Sequence, residues 1–383
     1  MVLGQNSVTL NPDLTTNNTD PHARPAPRLI VDLPAIQDNY RTLQSMASSS
    51  SVAVGAVVKA NAYGLGAMEV LPALARAGCR TFYVAHTSEG EEARRALAGF
   101  DADIFVFNGF WPVEIPALRA ANLFPVINDL AQVESLRLLA PDLPFGLHID
   151  TGMARLGLGD AETEKLLARP QILDGLAPRQ IMSHLACADD PEAPLNTLQR
   201  RRFQRVREQF PHIPASLSNS AGIMLGAQYH FDVLRPGLAL FGGCPIPGQE
   251  NPFKPTVRIE APILQIRDIK PGDPIGYGSL FTATEHMQTA TVAAGYADGL
   301  MIACGNRGFG RIGQVRTPIL GRVSMDLISV DVSAVRGQVS PGDPVSFLGQ
   351  DLDTLARNAQ TISYELLVRL GLRFHRVYLP ARS

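Results

Sequence analysis

Paired cysteines are missing from this chain. Its four, Cys79, Cys187, Cys244 and Cys304, stand far apart, with neither the close pairing of zinc sites nor the spacing of a disulfide framework. Reduced thiols in a cytoplasm fit that pattern. Long apolar runs are also missing: no stretch approaches the roughly 20 residues of a membrane span, and the first residues lack the basic start and apolar core of a secretion signal. Charge of one sign is absent too. With 34 Lys and Arg against 36 Asp and Glu, the formal charge of −2 gives no footing for nucleic acid or an anionic membrane as partner. Nor does a G-x-G-x-x-G loop follow the first apolar run of the main body, which argues against an open dinucleotide-binding sheet. A small-molecule protein is what these absences leave.

A length of 383 residues exceeds that of one ordinary compact domain, so two units are expected. Residues 1–27 are polar and read as a mobile leader. At "RLIVDLPAIQDNYRTL" a short apolar strand meets Asp32, an N-cap candidate, and Ile36, Tyr40 and Leu43 follow at helical spacing. Apolar or β-branched runs then recur at Val52–Val58, Phe82–Ala85, Ile104–Phe107, Phe124–Ile127, Phe145–Asp150, Ile181–Leu185, Ala215–Ser218 and Val233–Pro236. Helical patterns separate them. Ser88 and Glu91 stand in capping-box spacing before "EARRAL", and "AMEVLPALARAG" closes on a glycine. This alternation predicts a (β/α)8 TIM-type barrel over residues 28–252. From 253 to 383 the helical crossovers largely stop, and strand-like runs between turns predict a smaller, mostly β C-terminal domain, interrupted by the helical "TISYELLVRLG".

In such a barrel the chemistry gathers at the C-terminal ends of the strands. Lys59 ends the first run, Asp150 and Arg155 follow the fifth, His184 ends the sixth, Asn219 and Ser220 follow the seventh, and Arg235 with Gly237 closes the eighth. All are expected at one mouth. A lysine there can form a Schiff base with a carbonyl once burial or a nearby cation lowers its pKa from about 10.4. Pyridoxal phosphate is the commonest carbonyl partner of that kind, and the late strand-end loops offer Ser220 and backbone amides near Gly237 for its phosphate. Taken singly, each of these residues also has an ordinary structural role; their convergence carries the reading.

"AVVKANAYGLG", "HIDTGMARLGL", "SHLACADD", "SNSAG", "RPGLALFG", "IGYGSLF", "AAGYADG", "GRVSMD" and "ISYELL", in that order, resemble the motif series of the bacterial alanine racemases, over nearly the whole chain from residue 28. The resemblance implies a cytoplasmic isomerase that interconverts L- and D-alanine. It implies that Lys59 holds pyridoxal phosphate and serves as one acid/base, while Tyr277, from the partner subunit of a homodimer, serves as the other. Racemisation takes a proton from one face of the α-carbon and returns it on the opposite face, so two flanking bases suffice. A free tyrosine titrates near about 10 and needs help to accept a proton. The histidine matching His184 hydrogen-bonds that tyrosine in the family. The arginine matching Arg235 contacts the pyridine nitrogen, and a guanidinium that keeps its proton opposes protonation of that nitrogen. The ring then withdraws electrons less strongly, which limits side reactions such as transamination.

By the same resemblance Tyr63, Ser220, Gly237, Leu238 and Tyr364 contact the cofactor, with Asn219 in support. Arg155 and the backbone of Met325 bind the substrate carboxylate, Asp326 supports the Met325 loop, and Tyr296 lines a narrow access channel. Two positions depart from the pattern. His148 stands where many members carry a carbamylated lysine that orients the arginine matching Arg155. Ile302 stands where many carry an arginine at the channel rim. A racemase of broader range that also takes serine or other small amino acids is an alternative, and so is a pyridoxal-phosphate decarboxylase. The decarboxylases, however, usually carry a glycine-triplet loop and a late cysteine motif, neither of which is found here. A barrel that merely carries the cofactor would lack the second domain. Whether the product feeds peptidoglycan precursors or alanine is being catabolised stays open.

Overall fold

A computed structural model describes residues 26–382. Apart from Ala26 and Pro27, the expected leader lies outside the described residues.

Strand β1 (Arg28–Asp32) runs directly into helix α1 (Leu33–Met46). The Asp32 carboxylate accepts the Ala35 amide at 2.8 Å, and Pro34 occupies the first turn, where a missing donor is harmless. Ile36, Tyr40 and Leu43 are buried on one face, as their spacing predicts.

The barrel's first strand is divided at Gly55 into β2 (Ala53–Val54) and β3 (Ala56–Val57). Then come β4 (Thr81–Val84), β5 (Asp103–Val106), β6 (Leu123–Ile127), β7 (Phe145–His148), β8 (Pro178–Met182), β9 (Ala215–Ser216) and β10 (Val233–Leu234). Strands β3 to β9 pair in chain order, and β10 pairs in parallel with β2. The amides of Asp232 and Arg235 donate to the carbonyls of Ala215 and Ser218 at 2.9 Å each, which joins β10 to β9 and closes the ring. Runs such as "TFYV" and "LFPVI" are apolar on both faces because these strands are covered on both. The Tyr83 ring stacks with Phe105 and Phe107 at centroid distances of 5.3 and 5.4 Å, so the middle is a filled core. Position 55 must stay bare, since a Cβ there would lie 2.8 Å from the Tyr83 ring.

Helix α2 (Ala67–Arg76) ends before Gly78, whose φ is +105°. Helix α3 (Thr87–Ala96) corrects the sequence reading. Its N-cap is His86 rather than Ser88, and the carboxylate that returns to the cap is Glu89 rather than Glu91. The helix starts that early because β4 ends at Val84 and leaves only a short turn.

The second unit is a sheet built on the long strand Val257–Ile269. Pro344–Leu348 pairs with its first half and Met287–Val292 with its second, and the intervening strands Phe309–Ile312, Val315–Leu320 and Ile328–Asp331 link the two edges, so the sheet curls onto itself. Strand β1 belongs to this sheet and not to the barrel: Arg28 lies opposite Glu260 on one side and His375 on the other. A pairing between residues so distant in the chain leaves no local mark in the sequence. The fold class is the expected one, a (β/α) barrel followed by a mostly β domain.

Asp32 therefore sits between the two units, its amide donating to the Thr256 carbonyl at 2.8 Å and its side chain capping α1. Asp32→Ala is expected to lose about 1 kcal/mol of stability, read as a lower urea midpoint with an unchanged slope.

Candidate active site

The C-terminal ends of the strands open into a cavity of about 550 Å³. Lys59, Tyr63, His148, Arg155, His184, Asn219, Ser220, Arg235, Gly237 and Tyr364 all line it, and none of its lining residues is acidic. Five of these side chains are basic, so the cavity suits a ligand that brings its own negative charge.

Lys59 stands just past β3. The cavity walls, and then the Arg155 guanidinium, hold its ammonium below the usual lysine range, with Glu89 opposing, although the side chain still reaches solvent through the mouth. Arg155 comes from the loop after β7. That loop winds around the Asp150 carboxylate, which accepts the amides of Gly152, Met153 and Ala154 at 2.8 to 2.9 Å. Asp150 was expected at the mouth; it is instead consumed inside the loop that presents Arg155.

Arg235 is buried at the floor. One nitrogen of its guanidinium, Nη2, donates to the Ser183 carbonyl, and the group faces the Tyr83 ring at 6.0 Å. The other, Nη1, is buried without a hydrogen-bond partner among the described residues. Burial lowers its pKa to about 10, so it remains a cation near neutrality. His184 is held well below the usual histidine range by burial, then by Arg235, Arg155, His148 and Lys59. His148 is pushed down to about 4 by burial and Arg235, with Asp150 opposing. Its Nδ1 lies 2.9 Å from the Asn128 side-chain oxygen. The Asn128 amide nitrogen donates to the carbonyls of Phe107 and Val126, which fixes its oxygen as the acceptor. His148 therefore carries its proton on Nδ1 and keeps a free lone pair on Nε2.

At the far end, the Ser220 hydroxyl accepts the amides of Gly237 and Ala239 at 3.0 and 3.2 Å, and Asn219 caps the short helix Ser220–Met224. A Cβ on Gly237 would lie 2.2 Å from the Tyr63 hydroxyl. The glycine thus lets a phenol, a serine hydroxyl and backbone amides converge. Burial raises Tyr63, and lifts Tyr364 to about 12 with Asp189 adding to it, so both remain hydrogen-bond donors.

Leu238 is not on this wall; it borders an adjoining cavity of about 240 Å³. Tyr277, Tyr296, Met325 and Asp326 are also away from it. They lie on loops of the second unit that touch one another: the amides of Tyr296 and Ala297 donate to the carbonyls of Ser324 and Met325 at 3.0 Å, and Asn306 bonds both the Leu280 carbonyl and the Gly321 amide. Arg373 bridges Asp298 and Asp326 across two of these loops. The loops expose Tyr277, Leu280, Ile302, Met325 and Leu327, with Tyr277 at 70%. Glu89 and Asn128 went unmarked in the sequence. Only the spacing of Glu89 from His86 could have pointed to the first, and nothing local points to the second.

Residues 31–245 match the family model described as the alanine racemase N-terminal domain, and residues 256–378 match that of the C-terminal domain. The chain belongs to the alanine racemase family. It is 45% identical to a catabolic alanine racemase of Agrobacterium fabrum, covering 92% of each chain, and 44% identical to an alanine racemase of Methylobacterium nodulans, covering 93% of this chain and 97% of the relative. Its fold superposes with a TM-score of 0.86 on the crystal structure of alanine racemase from Bartonella henselae with covalently bound pyridoxal phosphate. Identity to it is 36%, over 92% of this chain and 99% of that one.

The donor set fits that cofactor: a strand-end lysine at one end, an unpartnered buried guanidinium nitrogen on the floor, and a bare glycine beside two hydroxyls at the other. The neutral histidines have a consequence for acid stability. Between about pH 6.5 and 4 the unfolded chain protonates His148 and the folded chain does not, so stability falls as pH drops through that window. His148→Asn is expected to remove up to one proton from that slope in urea melts between pH 7 and 4.5.

Proposed function

We infer that this member of the alanine racemase family interconverts L- and D-alanine, with pyridoxal phosphate held on Lys59 and with a second copy of the chain completing each site. The observation that carries the reading is the cavity itself: a strand-end lysine, a buried arginine and a neutral histidine share it with no carboxylate. When bound, pyridoxal phosphate withdraws electrons from the substrate's α-carbon and makes its proton acidic.

Lys59 would stand on one face of the α-carbon and take or return the proton there, and burial, which lowers its pKa, makes its amine more available as a base. Arg155 meets the substrate carboxylate. Arg235 stays charged, and its unpartnered Nη1 would serve the ring nitrogen of the bound cofactor. Tyr63, Ser220, Tyr364 and the amides around Gly237 hold the phosphate. The opposite face needs a second base, and no acidic side chain on the cavity wall offers one. Tyr277 of a second copy supplies it, with neutral His184 as its hydrogen-bond acceptor. The exposed apolar loops that carry Tyr277 support this, because patches of that kind mark protein interfaces. From the same loops of the second copy the backbone of Met325 would complete the carboxylate site, Asp326 holding that loop through Arg373, and Tyr296 would narrow the access channel with Ile302 at its rim. The alternative reading is a racemase of broader range that also takes serine or other small amino acids. Location in the cytoplasm agrees with the free cysteines and with the absence, among the described residues, of any helix long and apolar enough to cross a membrane.

Purified protein given pyridoxal phosphate and L-alanine is expected to lose optical rotation to zero without releasing carbon dioxide; release of the gas selects a decarboxylase. Lys59→Ala and Tyr277→Phe should each reduce racemisation by about 100-fold or more. Mixed and allowed to exchange subunits, the two variants should recover roughly a quarter of wild-type activity, because half the molecules become mixed dimers with one intact site each. No recovery would show that Lys59 and Tyr277 act within one chain.

A further inference from the structure

The four residues after Lys59 trace a left-handed turn: Ala60, Asn61, Ala62 and Tyr63 have φ of 53 to 55°. None is glycine. L-residues in that region are unfavourable by about 1 to 2 kcal/mol each, so the surroundings must over-determine the turn. Several bonds do so from its far end. The Asn61 side chain accepts the Ala67 amide at 2.6 Å, Arg376 donates to the Gly64 carbonyl at 2.7 Å, and Tyr378 to the Leu65 carbonyl at 3.0 Å.

At the near end the Ala62 amide donates to the Val58 carbonyl and the Val58 amide to the Tyr83 carbonyl, each at 2.9 Å, and one side chain joins them. The Ala60 amide, which belongs to the peptide bond leaving Lys59, donates to Oε1 of Glu89 at 2.7 Å. The other oxygen of that carboxylate accepts the amides of Ala85 at 2.8 Å and His86 at 3.3 Å, at the end of β4. One carboxylate thus ties the backbone beside the lysine to the end of the next barrel strand. Among the described residues it makes no salt bridge, so its charge is left to the amides and to the nearby ammonium.

We propose that Glu89 is a positioning residue for Lys59: its carboxylate anchors the first peptide of the left-handed turn, aims the amine into the cavity, and supplies the one negative charge near it. The proposal rests on the reading of Lys59 as cofactor-holding lysine and proton carrier. The groups that face Lys59 from other elements are Arg155 from the loop after β7, and His184, His148 and Arg235 from β8, β7 and the end of β10. All are cationic or neutral, and Glu89 from α3 is the group that opposes them.

Glu89→Gln keeps the shape but replaces one acceptor oxygen with a donor that faces amide donors. Three readouts are expected. Amide hydrogen exchange of the segment 56–66 in the cofactor-loaded enzyme should speed up by about tenfold or more. The kcat for racemisation should fall by about tenfold or more, with the alanine KM changed far less. The limb of the kcat–pH profile that reports the free Lys59 amine should move to lower pH, since a neighbouring negative charge has been removed. Should Glu89→Gln fail to fold, Glu89→Asp carries the exchange and kcat tests with the same expected direction. A kcat within twofold of wild type overturns the proposal, whether or not exchange changes, and so does unchanged exchange with an unmoved pH limb. If the wild-type enzyme does not racemise at all, the functional reading fails instead, and exchange alone judges whether Glu89 holds the turn.

Discussion

Five basic side chains share one cavity whose walls contain no carboxylate, and burial there, reinforced by their mutual repulsion, sets the state of each. The two histidines answer it by remaining neutral, while the lysine gives up part of its affinity for a proton. Only Arg235, whose charge is too firmly held to be lost, stays cationic in full burial, and it does so with one nitrogen bonded and one left over. An anionic ligand with a phosphate at one end and a carboxylate at the other relieves all of these at once. The cavity therefore selects for negative charge before any shape complementarity is considered.

Positions that depend on local chemistry were readable from the residues alone. The strand runs, the Asp32 cap and the glycine after α2 each announce themselves within a few residues, and the placing of Lys59, His184, Ser220 and Arg235 at strand ends follows from counting those runs. What could not be read depends on distance in the chain. Strand β1 looks like a barrel strand, being apolar and followed by a capped helix, and only its partners at 257–260 and 375–379 put it in the other sheet. Asp150 sits in the expected place, yet the left-handed Ala154 and the glycine at 152 curl the loop back so that three amides reach the carboxylate first. Ser88 and Glu91 satisfied a capping pattern that His86 and Glu89 fulfil two residues earlier, because the end of β4 decides where α3 starts. Tyr277 could be placed near chemistry only through resemblance, since within one chain it stands in solvent.

His148 shows how one site tolerates different chemistry at one position. The imidazole there is neutral, and Asn128 determines which of its nitrogens keeps a lone pair for the cavity. The Arg155 loop is wound tightly around Asp150, so the arginine is presented by its backbone.

The strand that holds the far end of the left-handed turn, His375–Leu379, belongs to the second unit and lies more than 300 residues away along the chain. The backbone beside the lysine is thus a joint property of both units: the barrel fastens its near end and the second unit its far end, so a shift of one against the other is transmitted to the cofactor-holding residue through the main chain.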